Sequence, residues 1–182
     1  MSTTTIEHEL AESRRRIAWL RELPQTGLVS ERGRIERHLA ALHREEASVL
    51  VAAREAPGEV EEKLAQLQMR LAVAEHAVAA DVSDEWTTYT TAVEDELRAW
   101  DTYLERLQAT IVARAWQARD RAEAAIAAVR NQRIAVYDQL AQARDDVDGS
   151  WQERRSDVGA ARDALERKAD ELSANLNRKE QR

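Results

Sequence analysis

The sequence predicts an all-α protein, an elongated antiparallel helical bundle or coiled coil of about five helices, occupying residues 1–182 as a single domain. Three observations carry this reading. Only 5 Gly and 2 Pro punctuate 182 residues, while 33 Ala, 17 Leu and 34% charged residues supply strong helix formers. Apolar residues recur at alternating steps of three and four. Turn signals fall at only a few points, so the helices between them are long. With so much of the apolar content in Ala, the core is expected to be thin, because each Ala buries little surface.

The first helix is expected at about 4–23. Thr4 and Glu7 have capping-box spacing, and Ile6, Leu10, Ile17 and Leu20 share one face. "LPQTG" ends it, since Pro24 disfavours helix before it and Gly27 permits a turn. The second helix is expected at about 30–56, with Ile35, Leu39, Leu42, Val49 and Ala53 on its face. Pro57-Gly58 then marks a hairpin between antiparallel neighbours.

The third helix, about 59–80, has the cleanest seam. Val60, Leu64, Leu67, Leu71, Ala74 and Val78 alternate steps of four and three, and Glu59, Glu61 and Glu62 suit the positive end of the helix. Ser83 either caps a new helix or lies within a continuing one. Past it, no Gly or Pro occurs before Gly149, so one helix is expected over about 84–148, ~98 Å at 1.5 Å per residue.

Two seven-residue rows run along this segment. Trp86, Val93, Trp100 and Leu107 form one, and Thr90, Leu97, Leu104 and Ile111 the other. A second stripe follows at Ile126, Val129, Val136, Leu140, Ala143 and Val147. Ile111 and Leu140 are 29 apart, one more than four heptads, so the seam changes phase across residues 112–125. Ser150 and Glu153 form a further capping box for a last helix at about 151–178, on which Trp151, Val158, Leu165 and Leu172 repeat every seven.

Of the five Trp, Trp86, Trp100 and Trp151 lie on these stripes and are expected to be core anchors. Trp19 and Trp116 lie off them. Arg15 and Arg16 stand four and three positions before Trp19, within reach of its ring. Trp19, Arg15, Arg16 and Trp116 are therefore the candidate interface.

The chemistry of catalysis is not written in this chain. It has no Cys, no glycine-rich phosphate loop and no nucleophile elbow. None of His8, His38, His43 and His76 stands three after a Glu, so the helical di-iron pattern is missing. No enzyme activity, catalytic residue, cofactor or metal is expected, and each His is read as a surface or seam residue. The net charge of −7 is concentrated in residues 58–110, where 4 basic side chains face 12 acidic ones. That segment disfavours nucleic acid and suits a basic protein partner.

The start of the chain lacks a secretory pattern and no run is long enough to span a membrane, so a cytoplasmic protein is expected. The lead expectation is a non-enzymatic scaffold or adaptor, with a homodimer covering the length of the long helix. The alternatives are a dimer lying on a membrane surface through its Arg residues, and a bundle holding an apolar ligand.

Overall fold

The computed structural model describes residues 3–22, 29–112, 116–146 and 149–177. Among them are six α-helices and no strand. These are α1 (Thr3–Glu22), α2 (Val29–Glu55), α3 (Val60–Asp81), α4 (Trp86–Val112), α5 (Trp116–Asp145) and α6 (Trp151–Asn177), with a 3-10 turn at Pro57–Glu59 between α2 and α3. None of the described helices is long and apolar enough to cross a membrane. The chain divides into two compact units, Met1–Tyr103 and Leu104–Arg182, with the division inside α4.

The stretch expected as one helix over 84–148 is described as α4 and α5, of 27 and 30 residues, on either side of residues 113–115. One stripe ends at Ile111 and the next begins at Ala122 and Ile126, all buried and on different phases of the heptad. The Pro24–Gly27 turn and residues 113–115 lie outside the described residues.

Unit 1 is an up-down-up-down bundle, and its pairings reveal the directions. Glu9 accepts from Gln68 and Glu75 from Arg16, both at an offset of 59, so α1 and α3 run parallel. Arg34 meets Asp81 across α2 and α3, and the Pro57 turn joins these helices as antiparallel neighbours. Tyr103 donates to Glu45 at an offset of 58, and His38 approaches Glu96 at the same offset, so α4 runs parallel to α2.

The apolar core of unit 1 joins Leu10, Ile17 and Leu20 of α1 to Ile35, Leu42 and Val49 of α2 and the whole α3 seam from Val60 to Val78. Each such Leu or Ile contributes roughly 1.5–3 kcal/mol when taken out of water. α3 is the central element. Its second row, with Lys63, Gln66, Arg70, Val73, Ala77 and Ala80, is buried as well as its apolar seam.

Three local details decide where helices begin and end. α1 already includes Thr3, which puts Thr4 inside the helix rather than at its cap. Ser83 closes α3: its hydroxyl donates to the Ala79 carbonyl at 2.7 Å, and its amide to Ala80 at 3.1 Å. The Ser150–Glu153 capping box forms as expected, with Ser150 N–H to Glu153 at 3.0 Å and Glu153 N–H to Ser150 Oγ at 3.2 Å.

In unit 2, α5 and α6 pair as a hairpin. Ile126, Val129, Val136, Leu140 and Ala143 of α5 are buried, as are Val158, Leu165, Ala169 and Leu172 of α6. Arg154 donates to the carbonyls of Ala143 (3.5 Å) and Asp146 (3.3 Å), closing the end of α5. Asp146 also accepts from the Gly149 amide at 2.9 Å, and a side chain at Gly149 would run into that carboxylate.

Candidate interaction surface

Two groups of polar side chains stand out in unit 1, one inside the bundle and one on α1. The inner group begins with Arg34 and Asp81, both under 4% exposed, whose guanidinium Nε lies 3.0 Å from one carboxylate oxygen and 3.2 Å from the other. Farther along, the Arg70 guanidinium carbon sits 4.4 Å from the centre of the Trp100 ring. Tyr103 meets the same ring edge-on, with centroids 5.9 Å apart. Its hydroxyl donates to Glu45 Oε1 at 3.4 Å.

Burial pushes the Glu45 carboxyl above its ordinary range. The charges of Arg70 and Lys63 and the Tyr103 hydrogen bond pull it back only in part. His38 and Glu96, each under 2% exposed, bring a ring nitrogen and a carboxylate oxygen within 4.8 Å.

The apolar periodicity of the sequence does not mark these charges as buried. The signal that could have found them is a seven-residue spacing beside the apolar one. Lys63, Arg70 and Ala77 track Leu64, Leu71 and Val78 one residue behind, and His38–Glu45 and Glu96–Tyr103 are each seven apart. Unit 2 carries its own version, with Arg162 and Glu166 of α6 fully buried four residues apart.

The outer group is the candidate interface. Trp19 is 54% exposed, the most exposed large apolar side chain among the described residues. Neither expected cation covers it. Arg15 pairs with Glu12, one turn back on the same helix. Arg16 reaches across to α3 and grips Glu75 through two bonds, Nε at 2.7 Å and Nη2 at 2.5 Å. That bidentate contact holds the Arg16 proton more firmly than usual.

On the side of α1 nearest α2, a cleft of about 130 Å³ is lined by Arg14, Ile17, Ala18, Arg21, His43 and Glu46. Arg14 bonds Glu46 at 2.5 Å, and Arg21 Nη2 bonds His43 Nε2 at 2.9 Å.

The remaining Trp residues divide. Trp100 is fully buried, as a core anchor should be. Trp86 is half-buried and stacks on Tyr89, with centroids 5.8 Å apart. Trp151 is half-buried, and Arg155 lies over its ring at 5.1 Å. These two therefore sit at the margin of the core. Both stand at a helix N-terminus, where a stripe has a neighbour on one side only. Trp116 opens α5, and its side chain lies outside the described residues.

The acidic segment is also less available than its −8 suggests. Asp81 and Glu96 are buried, and Glu75 is held by Arg16. Compared with family models, curated proteins and solved structures, the chain has no match in any of the three.

Proposed function

We propose that this chain is a non-enzymatic helical adaptor of the cytoplasm, whose bundle holds helix faces in fixed positions for a protein partner. The observation that carries the reading is the half-open indole of Trp19 on α1, with both neighbouring cations drawn away to Glu12 and Glu75. A bulky aromatic held in water on a packed helix is the kind of anchor that interfaces use as a hot spot. The acid–base groups in the interior point the same way. Arg34, Asp81 and Arg70 have side chains closed to solvent and engaged with one another or with a ring, which suits structural work.

A second copy remains one of the partners the adaptor can take, through coiled-coil packing of its exposed faces.

The test uses the full chain immobilised against a lysate of its source cells, with Trp19→Ala as the comparison. The expected result is a partner captured by the wild type and lost from the variant, with unchanged far-UV circular dichroism. Equal capture by both chains sinks the reading.

A further inference from the structure

The face of α1 that carries Trp19 has a heptad order of its own. Thr5, His8, Glu12, Arg15, Trp19 and Glu22 follow one another at alternating steps of three and four, and all six are exposed. At 100° per residue they lie within an arc of about 100° centred near Trp19, opposite the buried Leu10 and Ile17. This is the spacing of a coiled-coil seam, and it faces water. Trp19 is its one bulky apolar member, so the charges around it decide what fits.

The row reads the same from either end. Its midpoint falls between Ser13 and Arg14, with Glu12 and Arg15 on the two sides of it, then His8 and Trp19, then Thr5 and Glu22. A two-fold axis through that midpoint lays the row on an antiparallel copy of itself. Trp19 then comes opposite His8 of the second copy, Arg15 opposite its Glu12, and Glu22 opposite its Thr5. Each contact occurs twice, as an isologous interface requires, and no like charges meet.

Other arrangements are worse matched. A parallel copy sets Arg15 on Arg15 and Glu12 on Glu12. An antiparallel copy moved by one heptad either sets Glu22 on Glu12 or leaves Trp19 beyond the end of the opposite row. A partner helix of a single charge sign meets a like charge at Arg15 or at Glu12.

We propose that a second copy of this chain docks antiparallel on the outer face of α1, about a two-fold axis between Ser13 and Arg14. The proposal rests on the adaptor reading and names the partner at Trp19. Arg15 keeps its bond to Glu12 of its own helix and gains Glu12 of the second copy, so four charges close into a ring at the centre. On one flank of the row Ala11 and Ala18 are exposed, small enough for two helix backbones to approach closely. On the other flank Glu9 and Arg16 are turned to Gln68 and Glu75 of α3. A contact along one helix of 20 residues is smaller than the standard ~1,600 Å² interface, so the dimer is reversible and micromolar rather than nanomolar.

The test is sedimentation velocity of the full chain over a hundredfold concentration range. The expected mass rises with concentration from 20.7 kDa toward twice that value. Trp19→Ala weakens association at least about tenfold. Arg15→Glu alone, or Glu12→Arg alone, weakens it about as much, because like charges then converge at the centre. An equal mixture of these two reversed chains associates again, and the circular dichroism of each variant matches the wild type. The chain has no Cys, so orientation is read by oxidising a mixture of Thr5→Cys and Glu22→Cys chains. They are expected to cross-link to each other in preference to themselves.

A monomer at every concentration, a dimer that Trp19→Ala leaves unchanged, reversed chains that stay apart when mixed, or Glu22→Cys chains that cross-link to themselves as readily overturns the inference. If the chain stays monomeric while a different protein is captured through Trp19, the adaptor reading stands and this inference falls alone.

Discussion

Arg70 and Trp100 meet face to cation inside unit 1, the guanidinium carbon 4.4 Å from the ring centre and both side chains almost wholly shielded from water. The Trp100 indole nitrogen is buried without a hydrogen bond among the described residues, so the ring is held by packing and by the cation. Trp100→Ala is expected to cost about 3–5 kcal/mol, by transfer and by the cavity left behind. Trp100→Phe keeps a ring under Arg70 and gives up no hydrogen bond, so it costs about 1–2 kcal/mol. Urea unfolding checks both values, and equal costs would mean that the ring face is immaterial.

The pair Arg34–Asp81 makes a sharper test of what buried charge does here. Removing one partner, as in Asp81→Ala, leaves a guanidinium in the core without its counter-ion, at an expected cost of about 3–5 kcal/mol. Replacing both, as Arg34→Met with Asp81→Leu, is expected to be near neutral or stabilising. A thermodynamic cycle over the four chains measures the difference. If the double variant is as unstable as the single one, the pair is more than mutual compensation.

Why was this layer invisible in the sequence while the apolar seams were plain? A heptad of Leu and Val announces burial, since such residues gain nothing from water. Lys63, Arg70 and Glu96 gain much from it, and only a partner across the bundle makes burial tolerable. The partner's identity depends on which helices adjoin, which no single-helix periodicity encodes. The seam of α3, the hairpin at Pro57 and the capping box at Ser150 were legible because each is local. The change of seam phase between Ile111 and Leu140 was legible too, from spacing alone. Trp19 was recognised as off the stripe, but its exposure depended on where Arg15 and Arg16 would go.

Glu45 predicts a pH dependence of stability. Burial raises its folded-state value above the ordinary 4.5, so the folded chain binds more proton than the unfolded chain between the two values. Stability contributed by this group therefore falls as the pH rises through that window and is restored below the ordinary value. Relative to the wild type, Glu45→Gln is expected to gain stability from pH 4 to pH 7, in denaturant titrations at each pH. A flat difference would mean that Arg70, Lys63 and Tyr103 compensate the burial fully.

Glu153 behaves oppositely. The Ser150 amide and hydroxyl hold its carboxyl below the ordinary range. Carbon-13 NMR titration is expected to find the Glu153 carboxyl ionising at lower pH than a free Glu, and Ser150→Ala to return it toward normal. An unchanged titration would mean that the capping box is not kept in solution.

The offsets of 58 and 59 that align the helices of unit 1 have one more consequence. Small apolar residues such as Ala74 and Ala77 can slide past one another by a turn at little cost, since one methyl packs much like the next. Charges cannot. A shift of one turn, ~5.4 Å, would carry Arg34 off Asp81 and Arg70 off Trp100, leaving ions stranded in a dry interior. The ionic layer works as a set of keys that admits one axial alignment, so a strain applied along the bundle is resisted until it yields all at once rather than by creeping.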